Sequence, residues 1–166
     1  MKQILDPCCG SRKFYFNKNC DVVLYGDIRH ESFVQCDGRE LNIHPDQQMD
    51  VTNLHQFDDE SFNLVVFEPP HLKFAGANSY MRQSYGVLPD DPLTFIKQGF
   101  NECWRVLKKG GTLIFKWNTN QISLPVVLRT IEQKPLFGNR KPGGKQGETY
   151  WFVFYKEQDF QLEMTE

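Results

Sequence analysis

A chain of 166 residues, 40% of them hydrophobic, suits one domain with a workable core and argues against disorder. Its formal charge of −2 excludes the global basic field that announces a nucleic-acid partner. No apolar run approaches the length of about 20 residues that crosses a membrane, and Met1-Lys2-Gln3-Ile4-Leu5-Asp6 is too short and too soon acidic for a signal peptide, so a cytoplasmic protein with no membrane partner is expected.

Apolar runs alternate with helical or looped stretches, as βαβ units require. Lys2 to Leu5 predicts a short first strand, and Asp21-Val22-Val23-Leu24-Tyr25-Gly26 a second that ends at Asp27. Gly38 to Asp46, polar and broken by Pro45, reads as a loop or short hairpin. A weak third strand around Gln48-Met49 ends at Asp50, and Phe62-Asn63-Leu64-Val65-Val66-Phe67 reads as a buried parallel fourth. Leu72 to Asp91, with Gly76, Gly86 and Pro89, is a long connection of the kind that is usually functional or disordered. The clearest helix runs from Pro92 to Lys108, capped by Asp90 or Asp91 and stopped by Gly110-Gly111. Its residues Leu93, Ile96, Phe100, Cys103, Trp104 and Leu107 recur at intervals of three and four, a stripe for packing on a sheet. Gly111 to Trp117 is a fifth strand, Gln121 to Glu132 a second helix with Pro125 in its first turn, Lys134 to Gly138 a further strand and Tyr150 to Tyr155 the last. No repeat, low-complexity segment or boundary divides residues 1–166.

The five cysteines are an odd count, which argues against a disulfide framework; Cys8, Cys20 and Cys36 could meet at zinc, but their spacing matches no common zinc module, and packing roles are expected. Arg129 to Lys145 holds Arg129, Lys134, Arg140, Lys141 and Lys145 against the single acid Glu132, with Gly143 and Gly144 in its second half. It is either a basic patch for phosphates or a solvated charged loop.

Acidic residues close successive strands. The turn Asp6-Pro7-Cys8-Cys9-Gly10-Ser11-Arg12 follows the first, Asp27 the second, Asp50-Val51 the third, and Glu68-Pro69-Pro70-His71 the fourth. All fall at the carboxyl edge of a parallel sheet, where such sheets bind ligands. Together these motifs resemble class I S-adenosylmethionine (SAM) methyltransferases, of the kind that methylates exocyclic amino groups and is found in small stand-alone form in phages and prophages. The turn resembles the Asp-Pro-Phe-Cys-Gly-Ser-Gly of that group, with Arg12 in place of the second glycine. The tetrapeptide resembles its acid-or-amide, Pro-Pro, aromatic motif, with a longer acid and a smaller ring.

The resemblance spans nearly the whole chain. It implies an α/β, Rossmann-like fold with a mostly parallel seven-stranded sheet, an antiparallel last strand and helices on both faces. It implies SAM as cofactor and no metal. Asp6, Pro7, Cys8 and Gly10 would hold the methionine end, Asp27 the ribose, and Asp50 with Val51 the adenine; Glu68 would border the cofactor too. An exocyclic amino group is a poor nucleophile because its lone pair is delocalised into the ring. A Glu68 oxygen and the Pro69 carbonyl would accept its two hydrogens and aim the lone pair at the methyl, the prolines, Pro69 and Pro70, fixing the backbone. His71 would stack on the base, and could act as an acid or base near neutral pH. Tyr80, Arg82 and Tyr85 would close over the substrate, and Trp117 would wall the site or sit in the core. The implied target is adenine N6 in DNA or RNA. A protein glutamine or small amine is the alternative substrate, and a non-catalytic SAM-fold subunit the alternative role. No target-recognition domain fits between Gly10 and Glu68, so a homodimer, a partner subunit or a structured RNA is expected to supply target recognition.

Overall fold

The computed structural model describes residues 2–35, 37–139 and 147–157. In chain order the elements are β1 (Ile4–Asp6), β2 (Val23–Asp27), a hairpin of β3 (Glu31–Val34) and β4 (Glu40–Ile43), β5 (Gln47–Gln48), β6 (Phe62–Phe67), α1 (Tyr80–Tyr85), α2 (Pro92–Val106), β7 (Leu107–Asn118), α3 (Leu124–Leu128), β8 (Phe137–Gly138) and β9 (Thr149–Tyr155). Seven strands form one sheet in the order β5-β2-β1-β6-β7-β9-β8. The first five in that order are parallel, and β9 is antiparallel to both its neighbours. This is the mostly parallel seven-stranded sheet, closed by an antiparallel last strand, that the sequence implied.

Alternation along the strands divides the apolar residues between two faces. Leu5, Leu24, Val65, Phe67, Leu113 and Phe115 join the larger cluster. Into it α2 lowers Ile96, Phe100, Cys103 and Val106, and α3 lowers Val127. The Phe100 ring meets Phe154 at 5.0 Å and Phe115 at 6.3 Å. Gly99 lets α2 approach closely, since a methyl there would stand 3.1 Å from the Phe67 ring. On the other face Ile4, Val23 and Tyr25 pack under Cys9, Tyr15 and Cys20 of the irregular segment 7–22. Helices were expected on both faces; among the described residues α2 and α3 share one, and a turn-rich segment covers this part of the second.

The Asp91 side chain caps α2 by accepting from Thr94 N at 3.2 Å, and Pro92 occupies the first turn as expected. The helix ends at Val106, not Lys108, and β7 begins at Leu107, not Gly111. The two glycines read as a helix stop instead form an irregularity inside the strand: Gly110 takes φ +77° and the register with β6 shifts between Phe62 and Leu64. The second helix shrinks from the expected Gln121–Glu132 to α3, with Pro125 in its first turn. Gln121 lies outside it and its side chain accepts from Phe74 N at 2.9 Å, tying the end of β7 to the start of the long connection 72–91. Leu88 N donates to Leu72 O at 2.7 Å and closes that connection, which carries α1. The segment read as a loop or short hairpin is the second arm of the β3–β4 hairpin, which buries Leu41 and Ile43 by alternation.

Candidate active site

The turn after β1 is built around Asp6, which is only 2% exposed and accepts from the Cys8 amide at 3.2 Å. Asp6 lines neither of the two cavities at this edge. It holds the turn from behind through the Cys8 amide. Burial pushes its carboxyl up to about 7, with Glu68 and Asp27 adding to the shift and Tyr15 and the Cys8 amide opposing it. Gly10 takes φ +51°, and a methyl there would stand 3.3 Å from Ser84 O, so the glycine admits the end of α1 to the turn. Arg12, in the place of the second glycine, keeps the glycine-like backbone at φ +54° and turns its side chain away from the edge. The guanidinium lies 4.0 Å over the Tyr25 ring and 2.7 Å from Asp46.

Asp27 ends β2 almost fully buried. Its Oδ2 accepts from Gly10 N at 2.9 Å and Arg29 Nη2 at 3.3 Å; its Oδ1 accepts from Arg29 N at 2.9 Å and Nε at 3.1 Å. Four donors fill the roughly four lone-pair positions of a carboxylate. Ribose hydroxyls therefore reach Asp27 only by displacing Arg29. The same guanidinium donates to Gln83 O at 3.0 Å, pinning α1 against the strand end.

A cavity of about 720 Å³ opens along this edge, in the size range of small-molecule sites. Pro7, Cys8, Asp27, Asp50, Val51 and Glu68, all expected at the cofactor, line it. Asp50 Oδ1 accepts from Thr52 N at 2.9 Å and Thr52 Oγ1 at 2.8 Å, which orients the carboxylate. The far wall comes from the connection 72–91, including Arg82 and Tyr85, and from Phe95 of α2.

A second cavity of about 380 Å³ adjoins the first. Cys8, Arg29, Glu68 and Tyr85 line both. Glu68 Oε1 is ion-paired to the Nζ of Lys116, one residue beyond the Phe67–Phe115 register pair of β6 and β7. The Lys116 ammonium also lies 5.1 Å from the centre of the Trp151 ring, which stacks on Phe14 at 4.6 Å. His71 lines neither cavity but sits 5.4 Å from Tyr85, which lines both, and burial, reinforced by Lys116, pushes its imidazole down to about 4. It is neutral near pH 7, which suits a stacking ring.

Trp117 does not wall the site. It is 1% exposed, belongs to the large apolar cluster and donates from Nε1 to Ile122 O at 3.1 Å. Tyr80 lines neither cavity; its hydroxyl meets Lys13. The reading of the sequence missed Lys13, Arg29 and Lys116. Lys116 had a signal, a lone cation between aromatics in an otherwise apolar strand. Burial pushes the thiols of Cys8, Cys9 and Cys103 up, as expected of neutral packing groups. Cys36, Arg140, Lys141, Gly143, Gly144 and Lys145 lie outside the described residues, so the zinc and basic-patch readings that use them have no structural counterpart here.

No protein-family model matches the chain, and no curated protein matches it. Solved structures do. A protein from Pyrococcus horikoshii superposes with a TM-score of 0.58 at 16% identity, covering 93% of this chain and 82% of that one. An rRNA methylase from Streptococcus thermophilus gives 0.55 at 14% identity, covering 95% and 88%. A SAM-dependent methyltransferase from Thermotoga maritima gives 0.50 at 15% identity, covering 95% and 83%. The fold is that of the class I methyltransferases. In this methyltransferase fold both cavities open at the carboxyl edge of the parallel strands, the edge where open α/β sheets hold ligands.

Asp6 and His71 make opposite contributions to stability as pH changes. An acid whose folded pKa is raised is favoured below its unfolded value of 3.8 and penalised as pH rises toward about 7. An imidazole whose folded pKa is depressed is favoured above 6.5 and penalised as pH falls toward about 4. Relative to wild type, Asp6→Asn is therefore expected to gain stability from pH 4 to 7, by up to roughly 4 kcal/mol. His71→Phe is expected to gain it in the reverse direction. Urea unfolding at both ends of that window checks the two signs.

Proposed function

We propose that this chain is a SAM-dependent methyltransferase acting on an exocyclic amino nitrogen, adenine N6 in nucleic acid. One observation carries the reading: Glu68, held by Lys116, stands in the wall common to the two cavities. A cofactor in one cavity and an acceptor in the other would meet at that carboxylate.

The residues of the larger cavity fit SAM. Asp50 offers an oriented acceptor for the adenine amino group, Val51 borders the same end, and Asp27 accepts ribose hydroxyls once Arg29 withdraws. Pro7 and Cys8 border the methionine side. When bound, SAM supplies an electrophilic methyl on its sulfonium. This chain's residues orient the nitrogen. Lys116 takes one oxygen of Glu68 and leaves the other for an amino hydrogen. The Pro69 carbonyl accepts the second hydrogen, and Pro70 stiffens the backbone between Glu68 and His71. The neutral His71 ring, with Tyr85 beside it, gives the base a flat partner. Positioning supplies most of the rate, because the methyl donor is already activated.

Transfer of radiolabelled methyl from SAM to DNA, RNA and total protein extract, offered in parallel, tests this. Label in a nucleic-acid pool, lost in Glu68→Ala, is the expected result. Label confined to protein moves the reading to an amide nitrogen, and no transfer with SAM bound favours a binding subunit.

A further inference from the structure

The segment between β1 and β2 presents Lys13 and two phenylalanines to the second cavity, and the acceptor chemistry above uses none of them. Lys13 Nζ lies 2.5 Å from the Tyr80 hydroxyl and 3.0 Å from Ser84 Oγ, with no carboxylate paired to it among the described residues. Two neutral hydroxyls and the Tyr80 ring, 4.2 Å away, fix its position without a counter-charge among the described residues. Of the cations that line this cavity, Arg29 is paired with Asp27 and Lys116 with Glu68, so Lys13 carries the one charge without a carboxylate among the described residues, a charge that suits an anion. On the same wall the Ser11 hydroxyl is buried without a partner among the described residues. Phe14 is held flat on Trp151, whereas Phe16, three residues from Lys13, stands fully exposed at the rim. An exposed aromatic face beside an unneutralised cation matches a nucleotide chain whose bases are out of a duplex: the phosphate meets the ammonium and a base covers the ring. A base inside a duplex reaches Glu68 only after it is flipped out at the cost of its pairing and stacking, a cost that an unpaired base avoids.

We propose that residues 13–16 form a track for single-stranded nucleic acid, with Lys13 on a phosphate near the target nucleotide and Phe16 under a neighbouring base. This rests on the amino-methyltransferase reading and specifies its substrate as unpaired.

Binding of a fluorescein-labelled deoxyadenylate strand of about 12 nucleotides, alone or annealed to its complement, is measured by anisotropy between about 50 and 200 mM salt. The wild type is expected to prefer the single strand. Phe16→Ala is expected to weaken it about tenfold, as loss of one stacked base does. Because no described residue covers Phe16, thermal unfolding of Phe16→Ala is expected to match wild type. Lys13→Gln is expected to weaken binding and to reduce the slope of log K against log salt by about 0.7, the loss of one phosphate contact to a single strand. SAM affinity is expected to stay unchanged in both. Wild-type affinity for the single strand in both variants overturns the track. So does a loss of SAM affinity in Lys13→Gln with oligonucleotide binding intact, which assigns Lys13 to the cofactor carboxylate. Strand binding that responds to both substitutions, with no methyl transferred, sinks the methyl-transfer reading and leaves the track standing.

Discussion

Glu68→Gln is expected to lower kcat by about 100-fold or more, with SAM affinity changed far less. The usual expectation for an amide replacement is partial activity, because an amide oxygen still accepts a hydrogen bond. Lys116 changes that. Its ammonium donates to Glu68 Oε1, and only an oxygen can receive it. The glutamine oxygen therefore turns to Lys116 and its NH2 group faces the acceptor nitrogen, donor against donor. A second substitution, Lys116→Met, removes that constraint and lets the amide oxygen turn back. Glu68→Gln with Lys116→Met is thus expected to be more active than Glu68→Gln alone. Single-turnover rates at saturating SAM measure both variants. Equal rates for the single and double variants would remove Lys116 from the account.

Asp27→Ala is expected to cost about 3 kcal/mol of stability and most of the SAM affinity. The carboxylate satisfies the Gly10 amide and three nitrogens of Arg29. Removing it leaves a partly buried guanidinium without its counter-charge and the turn after β1 without its tie to β2. Loss of one partner from a buried ion pair costs about 3–5 kcal/mol, and the partial exposure of Arg29 places this case at the low end. For a chain of this size that lowers the melting temperature by about 6–12 °C. Thermal unfolding and titration calorimetry with SAM check the two effects together. An unchanged melting temperature would mean that the Asp27–Arg29 pair contributes nothing net.

The parts of the site set by strand ends were legible in the sequence, because an acid at the end of an apolar run in a parallel sheet falls on the ligand edge whatever the loops do. Asp27, Asp50 and Glu68 are of this kind, and all three line the larger cavity. Parts set by strand pairing were not. Lys116 and Trp151 are register partners, and Trp117 pairs with Tyr150. Alternation then sends Lys116 and Trp151 toward the site and Trp117 into the core. One strand read alone cannot say which of its faces meets the helices. Segment 7–22 was opaque for a different reason. It lacks the periodicity of a helix or strand, so nothing in its pattern placed Lys13 and Phe14 beside Glu68. The α2–β7 boundary misled because Gly110-Gly111 is equally good chemistry for a helix stop and for a strand irregularity, and only pairing with β6 decides.

The most direct test of the central claim is the identity of the methylated atom. Single-stranded DNA and RNA treated with the protein and isotopically labelled SAM are digested to nucleosides and separated by mass. Label is expected on N6-methyladenosine or its deoxy form, absent with Glu68→Ala. Label on a ring nitrogen, a carbon or a ribose oxygen would contradict it, because those acceptors carry no pair of amino hydrogens for Glu68 and Pro69 to hold.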